Sequence, residues 1–184
     1  HLPIQSGSDK ILNLMNRKHI VNDYLKIFER IKKINSNIEF SSDFIIGYPG
    51  ENEKDFLLTL NLINKIKFIN SYSFIFSPRP GTVAANLKVI DKSLSLSRLK
   101  KIQEELFNHQ VKMNKSLENS VINVLVENKT DRASKFFGRS EHMTSVIFDG
   151  NYEDVGKVVK IKVITSNRST LFGEKVTKNK LKVA

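Results

Sequence analysis

The chain has 184 residues, a formal net charge of +11 and no cysteine. This length allows one domain of ordinary size and a small second one, each with an apolar core. The lack of cysteine excludes disulfides, a cysteine-ligated zinc and an iron–sulfur cluster held by this chain alone. No apolar run approaches the roughly 20 residues of a membrane span, and there is no signal-peptide pattern. We therefore expect a soluble, cytoplasmic protein with no membrane partner.

The positive charge favours nucleic acid as a partner, because basic side chains release counterions from phosphates. The excess is spread evenly, however, with 18 basic and 11 acidic residues in 1–117 and 12 and 8 in 118–184. Codon bias explains it equally well, since lysine, asparagine and isoleucine are all abundant. The four histidines lie far apart in sequence, so we predict no metal site within the chain.

From His1 to about Leu117, short apolar runs alternate with helical periodicity, which predicts βα units, a parallel sheet and an α/β fold. In chain order we predict an extended start, a helix opened by Ser8 or Asp9, a helix from Asn22, a strand over 38–46, a helix capped by Asn52 with Asp55, a strand over 71–76 and a helix over 95–117. The stretch from 38 to 76 should form a right-handed βαβ unit.

After Glu118 the pattern changes to short β-type runs separated by glycine turns. The runs cover 121–127, 135–138, 145–148, 158–164 and about 171–176. Five short strands in so few residues predict a second, all-β domain over 118–184, folded as a small closed antiparallel β-barrel. Barrels of this kind commonly bind single-stranded RNA.

Three loops, at 5–8, 42–51 and 76–82, are expected at the carboxyl ends of predicted strands of the first domain, the edge where α/β sheets place ligands. Asp43 lies on a strand, where its carboxylate could bind a ligand amine or hydroxyl or could instead be satisfied by backbone amides or a lysine. Glu51 could equally be a ligand-binding residue or an acid that stabilises the start of a helix. Arg79, held between two prolines, suits a phosphate or a nucleobase, although an arginine without function at the rim is the alternative.

Three segments, HLPIQSGSD at 1–9 followed by MNR at 15–17, SSDFIIGYPGE at 41–51 and SYSFIFSPRPGT at 71–82, together resemble the radical S-adenosylmethionine methylthiotransferase family. The likeness is closest to the branch that acts on isopentenylated adenosine in tRNA. The tail resembles that family's TRAM domain, an OB-like RNA-binding barrel, through Gly138-Arg139, VIFDG at 146–150, Gly156-Lys157 and STLFGE at 169–174. The resemblance thus covers essentially the whole chain.

This resemblance implies that residues 1–117 are the carboxyl-terminal part of a TIM-like radical SAM β/α barrel and that residues 118–184 are the TRAM domain. Because the chain starts at His1, we expect that the cluster cysteines precede it. In the family, S-adenosylmethionine and two [4Fe-4S] clusters, supplied with electrons by a reductant, insert sulfur and a methyl group at C2 of the adenosine beside the anticodon. The partner would be the anticodon stem-loop of tRNA.

By analogy we expect no catalytic residue in this chain, which alone would be inactive. The residues expected to contact ligands fall into three sets: Gln5, Ser6, Ser42 and Asp43 for S-adenosylmethionine, Phe76, Ser77 and Arg79 for the substrate nucleotide, and Arg139, Lys157, Arg168 and Lys175 for RNA. Two alternatives stay open. One is a relative that modifies an aspartate of a ribosomal protein, and the other is a non-catalytic RNA-binding fragment.

Overall fold

The structure is a computed structural model that describes residues 1–132 and 134–176. The chain divides into two compact units, His1–His109 and Gln110–Ala184. This division falls within a long helix, whereas the prediction set the domain boundary at the end of that helix. The described part of the first unit contains α1 (Asp9–Leu14), α2 (Val21–Ile34), β1 (Asp43–Ile46), α3 (Glu53–Ile66), β2 (Tyr72–Ile75) and the start of α4 (Lys92–Ser116).

Strands β1 and β2 pair in parallel, with Asp43 opposite Tyr72 and Ile46 opposite Ile75. Helix α3 connects them, which confirms the predicted βαβ unit. Gln5 adds a third extended segment through a single parallel bridge to Phe44. This arrangement is the framework of the candidate site.

Strand β1 is shorter than the predicted stretch over 38–46. The amide of Ser42 donates to the Ser71 hydroxyl at 2.9 Å rather than to a backbone carbonyl. A side chain therefore takes the place of a ladder partner, and regular pairing starts only at Asp43.

The helix starts follow their capping residues. Ser8 caps α1 by accepting from the amide of Ile11, as predicted. Asn52 and Asp55 form the predicted reciprocal capping box of α3, which begins at Glu53. Helix α4 begins three residues earlier than the predicted Ser95, because the Asp91 carboxylate accepts from the amide of Leu94 at 3.1 Å.

One face of the sheet packs against the helices to form the core of the first unit. Phe44 and Ile46 of β1 are fully buried there, together with Ile63 of α3 and Ile102 of α4. Since side chains alternate along a strand, Asp43 and Ile45 lie on the opposite face and are only half-buried.

The described part of the second unit contains a closed five-stranded barrel with the order β3-β4-β5-β7-β6. Its strands are β3 (Val121–Lys129), β4 (Lys135–Ser140), β5 (Ser145–Asp149), β6 (Val158–Ser166) and β7 (Thr170–Lys175). The barrel interior is apolar and includes Val124, Phe136, Phe148 and Leu171. The predicted small barrel is confirmed, but the expectation of purely antiparallel pairing is wrong, since β5 and β7 run parallel. The chain crosses over between them through β6, which lies on the other side of β7.

Within residues 1–132 and 134–176, no helix combines the length and apolar character needed to cross a membrane.

Candidate active site and RNA-binding surface

The three predicted loops leave neighbouring strands of the parallel sheet at the same edge. The bridge at Gln5 and the strands β1 and β2 are all parallel, so the stretches at 6–8, 47–51 and 76–82 each follow a carboxyl end. This is the edge where open α/β sheets bind ligands.

Side chains tie these loops to one another. The rings of Tyr48 and Phe76 meet edge to face with their centroids 4.9 Å apart. Lys10 donates to the carbonyl oxygen of Gly50 at 2.7 Å and to Asp55 at 2.8 Å, which joins α1 to the middle loop and to the start of α3. The loops are therefore held in a fixed arrangement.

Gln5 and Asp43 present polar groups that the protein itself does not fully use. Gln5 is 7% exposed and has a positive φ of 76°, yet its side-chain amide makes no hydrogen bond to any described residue. Asp43 is partly exposed, and its carboxylate lies 3.5 Å from the Nε2 of His1. A strained backbone and an unpaired amide are features common at ligand sites.

Ser6 and Ser42 differ from those two residues because their hydroxyls already hold the backbone together. The Ser6 hydroxyl lies 3.3 Å from that of Thr59 and accepts from the amide of Ser8. The Ser42 hydroxyl accepts from the amide of Ile4 at 2.9 Å and donates to the Asp43 carbonyl oxygen. Both serines are buried, so any contact with a cofactor would compete with these bonds.

The residues predicted for the substrate nucleotide lie just beyond β2. Phe76 continues the pairing by donating its amide to Ile46 at 2.8 Å, and its ring is half-buried. Ser77 and Arg79 are exposed, and the Arg79 guanidinium makes no ion pair with any residue that the structure describes. The Arg79 carbonyl accepts from both the amide and the hydroxyl of Thr82, which closes the turn.

The residues predicted to bind the cofactor and those predicted to bind the substrate nucleotide lie near opposite ends of the strands. Ser42 and Asp43 lie at the amino end of β1, whereas Phe76 follows the carboxyl end of β2. Three residue steps separate Asp43 from Ile46, or roughly 10 Å at the rise of an extended strand. Gln5 lies beside Asp43 along the backbone, where its main-chain amide donates to the Asp43 carbonyl oxygen at 3.0 Å, but it is paired with Phe44 of the core face. Ser77 and Arg79 form a separate rim.

Sequence reasoning missed a buried ion pair beneath the middle loop. Glu51 does not start α3 but points back into the loop, where it accepts from the Gly47 amide at 3.3 Å and from Arg98 at 2.8 Å. Arg98 also bonds Glu53 and lies over the Phe56 ring at 5.3 Å. The reading of Glu51 as a helix-start acid is therefore wrong. The sequence did carry one indication: Arg98 lies one helical turn before the buried Ile102, which puts Arg98 on the buried face of α4.

Two carboxyls at this edge have shifted pKa values. Burial raises the pKa of Glu51, and the Gly47 amide and Arg98 only partly oppose that effect. Desolvation also acts to raise the pKa of Asp55, but hydrogen bonds from Asn52, Lys10 and Ser8 outweigh it, so that this pKa is lowered. Asp55 is thus held as an anion beside Lys10.

The predicted RNA contacts lie on the barrel unit. Lys157 and Arg168 are exposed. Arg139 pairs with Glu127 at 3.4 Å and donates to the carbonyl oxygen of Met143. Lys175 pairs closely with Asp154, so an RNA contact by Lys175 would require that ion pair to open.

Among the described residues, no three histidine or acidic side chains come together in a group that could hold a metal ion. The half-buried His19 has a buried Nε2 without a hydrogen-bond partner, but among the described residues it belongs to no such group.

Comparison with known families matches both units. Residues 1–63 match the model of the radical SAM superfamily, and residues 115–176 match the TRAM domain. Residues 1–63 are thus similar to the radical SAM superfamily, and residues 115–176 are similar to TRAM domains. The first match covers β1 and most of α3 in the first unit, and the second covers the five-stranded barrel. The family matches therefore coincide with the two kinds of fold that the structure shows.

Similar proteins carry one name, tRNA-2-methylthio-N(6)-dimethylallyladenosine synthase. The protein of that name from Pelagibacter ubique (strain HTCC1062) is 64% identical over all 184 residues, which are 41% of its own length. Those from Ruthia magnifica and Wolbachia pipientis wMel are 44% and 42% identical over 94% of this chain and 39% and 40% of their own lengths. The chain therefore spans about 40% of the length of these relatives.

Proposed function

We propose that this chain is the carboxyl-terminal part of a radical SAM methylthiotransferase that acts on tRNA. The reaction converts N6-isopentenyladenosine at position 37, beside the anticodon, into its 2-methylthio derivative. Two observations together support the proposal. Three loops that resemble the family's motifs lie at one edge of a parallel sheet, and the similar proteins share the name of a tRNA-modifying enzyme. Activity on tRNA would place the protein in the cytoplasm.

The residues near the amino end of β1 fit S-adenosylmethionine. This cofactor presents an amino group, a carboxylate and an adenosine, and the half-exposed Asp43 carboxylate is suited to accept from its amine or ribose hydroxyls. The unpaired Gln5 amide would supply a further donor and acceptor. Ser6 and Ser42 would fix the backbone around these two residues, because their hydroxyls accept from the amides of Ser8 and Ile4.

When bound, the cofactor supplies the radical and methyl chemistry, whereas this chain binds and orients. Phe76, Ser77 and Arg79 would position the substrate nucleotide, with Arg79 directed at phosphate because that guanidinium has no internal partner among the described residues. The chain has no cysteine and therefore does not provide thiolate ligands for the two [4Fe-4S] clusters of the complete enzyme.

The proposal assigns residues 1–117 to the radical SAM domain, as part of a larger TIM-like barrel, and residues 118–184 to the TRAM domain; residues 133 and 177–184 lie outside the described residues. Arg139, Lys157, Arg168 and Lys175 would bind the anticodon stem-loop. The barrel, whose strands match the RNA-binding OB class in number and closure, supports this assignment.

The test uses the full-length gene in a strain that lacks its own tRNA methylthiotransferase. Mass spectrometry of digested tRNA should detect the 2-methylthio nucleoside with the unaltered gene and a strong loss with Arg79→Ala. Arg30→Ala, at an exposed arginine of α2, is the matched control and should leave the product unchanged. Full modification by the Arg79→Ala variant would remove Arg79 from the substrate site.

The same strains decide between the alternatives. Thiomethylation of a ribosomal-protein aspartate, with tRNA unmodified, would establish the protein-modifying reaction instead. Binding of tRNA without modification of either substrate would identify an RNA-binding protein with no turnover.

A further inference from the structure

Strands β1 and β2 turn one face towards the helices and present apolar side chains on the other. This second face, here called the aromatic face, consists of Ile45 on β1 and of Tyr72 and Phe74 on β2, with Asp43 at its amino end. Ile45 lies directly opposite Phe74, and Asp43 lies directly opposite Tyr72. Because side chains alternate along a strand, these residues share a face that the buried core does not occupy.

The aromatic face is open to solvent. Tyr72 and Phe74 are 64% and 54% exposed, and their rings are nearly parallel with centroids 6.4 Å apart. Ile45 is half-buried and lies outside the core cluster. Parallel sheets of α/β proteins are normally covered on both faces, and neighbouring exposed aromatic side chains mark a binding surface. Tyr72 and Phe74 therefore indicate an apolar ligand group at this face.

The aromatic face is continuous with a residue predicted for the substrate nucleotide. Phe76 donates its amide to the Ile46 carbonyl oxygen at 2.8 Å, so the extended strand runs on past its last ladder pair. Alternation along the strand then puts Phe76 on the same side as Phe74. Two residue steps separate the two phenylalanines, or roughly 7 Å at the rise of an extended strand. The aromatic face thus leads directly to the loop that follows β2.

That loop suits the polar parts of a nucleotide, whereas the aromatic face does not. The Arg79 guanidinium forms no ion pair with any residue that the structure describes and can bind a phosphate. Beyond Asp43, the side chains that β1 and β2 present on the aromatic face are all uncharged. A phosphate or a ribose gains nothing from Phe74, but an apolar group is stabilised there by its removal from water.

We propose that Phe74 and Ile45 bind the apolar N6 substituent of the substrate adenosine, and that Tyr72 completes this apolar subsite. The inference rests on the proposed function, in which the adenosine carries a branched isopentenyl group. An adenine held at Phe76 can direct that group along the strand to Phe74, while Arg79 holds a phosphate at the loop. The subsite thus distinguishes an isopentenylated adenosine from an unmodified one.

The decisive experiment compares two RNA probes. An anticodon stem-loop with N6-isopentenyladenosine at position 37, and the same RNA with unmodified adenosine there, are titrated with the full-length protein and followed by fluorescence anisotropy. The unaltered protein should bind the isopentenylated RNA more tightly. Phe74→Ala should reduce this preference by roughly 10-fold or more, since one methylene group in an apolar pocket already changes binding by that factor. Ile45→Ala should reduce it in the same direction.

Leu57→Ala is the matched control. Leu57 is a 41% exposed apolar residue of α3, the helix that packs on the opposite face of the sheet, and its loss should leave the preference unchanged. Phe74→Leu keeps an apolar side chain on the strand and should retain part of the preference. Circular dichroism and the affinity for unmodified RNA check that each variant is folded. No preference in the unaltered protein, or an undiminished one in folded Phe74→Ala, overturns the subsite.

The outcomes also separate this inference from the proposed function. If the full-length gene leaves tRNA unmodified but its product prefers isopentenylated RNA through Phe74, the enzyme assignment fails and the subsite stands. If tRNA is modified normally while Phe74→Ala keeps the full preference, the subsite fails and the enzyme stands. An equal loss of affinity for both RNAs in Phe74→Ala would mean that the aromatic face packs against another part of the protein, and it would also reject the subsite.

Discussion

The Glu51 carboxylate and the Arg98 guanidinium pair at 2.8 Å although their side chains are only 2% and 5% exposed. This pair anchors the loop at 47–51 to α4, since Glu51 also accepts from the Gly47 amide. An ion pair removed from water needs both partners, because either one left alone is a buried, uncompensated charge.

Glu51→Gln should therefore lower the free energy of unfolding, because it leaves the buried Arg98 with only the exposed Glu53 as its charged partner. Glu53→Gln is the matched control, because Glu53 bonds the same arginine but is 63% exposed, and it should cost about 0–1 kcal/mol. Urea unfolding of the full chain measures both. Equal costs for the two variants would show that burial does not strengthen the pair.

Ser42→Ala should destabilise the fold even without any cofactor. The substitution leaves the Ile4 amide without its buried acceptor, at a cost of about 1–3 kcal/mol. Ser77→Ala, at an exposed position on the substrate rim, should be neutral within about 0.5 kcal/mol. Thermal unfolding of both variants provides the comparison. An unchanged melting temperature for Ser42→Ala would show that the fold does not need the Ser42 hydroxyl, which could then serve a ligand.

Asp55 should make the first unit sensitive to acid. Its pKa in the folded state is lowered, so its stabilising effect is fully present above the ordinary aspartate pKa of 3.8 and is lost as the pH falls through the lowered value. Asp55→Asn should reduce stability at neutral pH by about 1–3 kcal/mol and flatten the acid limb of the stability curve. Unfolding measured from pH 7 to pH 2 tests this, with Glu53→Gln as the control; an unchanged acid limb in Asp55→Asn would contradict it.

Gly47→Ala should be more harmful than Gly81→Ala. Both glycines have positive φ, 71° and 84°, which costs an alanine about 1–2 kcal/mol. At Gly47 a Cβ would also lie 2.5 Å from the Ser95 hydroxyl, whereas at Gly81 it would meet nothing within 4 Å. Thermal unfolding should rank the two variants in that order, and equal melting temperatures would show that Ser95 gives way.

The parts of the fold that could be predicted are those governed by local patterns. The capping box of Asn52 and Asp55 and the alternating burial in the barrel strands depend on residues close together in sequence. The start of α3 and the positions of the barrel strands could therefore be predicted. The early end of pairing at Ser42 could not be predicted, because it depends on Ser71, which is distant in sequence. The parallel β5–β7 pair escaped prediction for the same reason.

The candidate site shows the same division. Resemblance identified Gln5 and Asp43, whose main chains are hydrogen-bonded to each other, yet whether either binds a cofactor stays a prediction. The partner of Glu51 lies 47 positions away, so no local pattern could reveal it.

Closure of the barrel has a consequence for how the protein is made. Strand β7 is hydrogen-bonded on both sides, to β5 and to β6, although it is the last strand described along the chain. The ring of hydrogen bonds thus cannot be completed until Lys175 has left the ribosome. Until then β5 and β6 each expose an unpaired edge, so the nascent barrel is most vulnerable to misassociation just before synthesis of β7 ends.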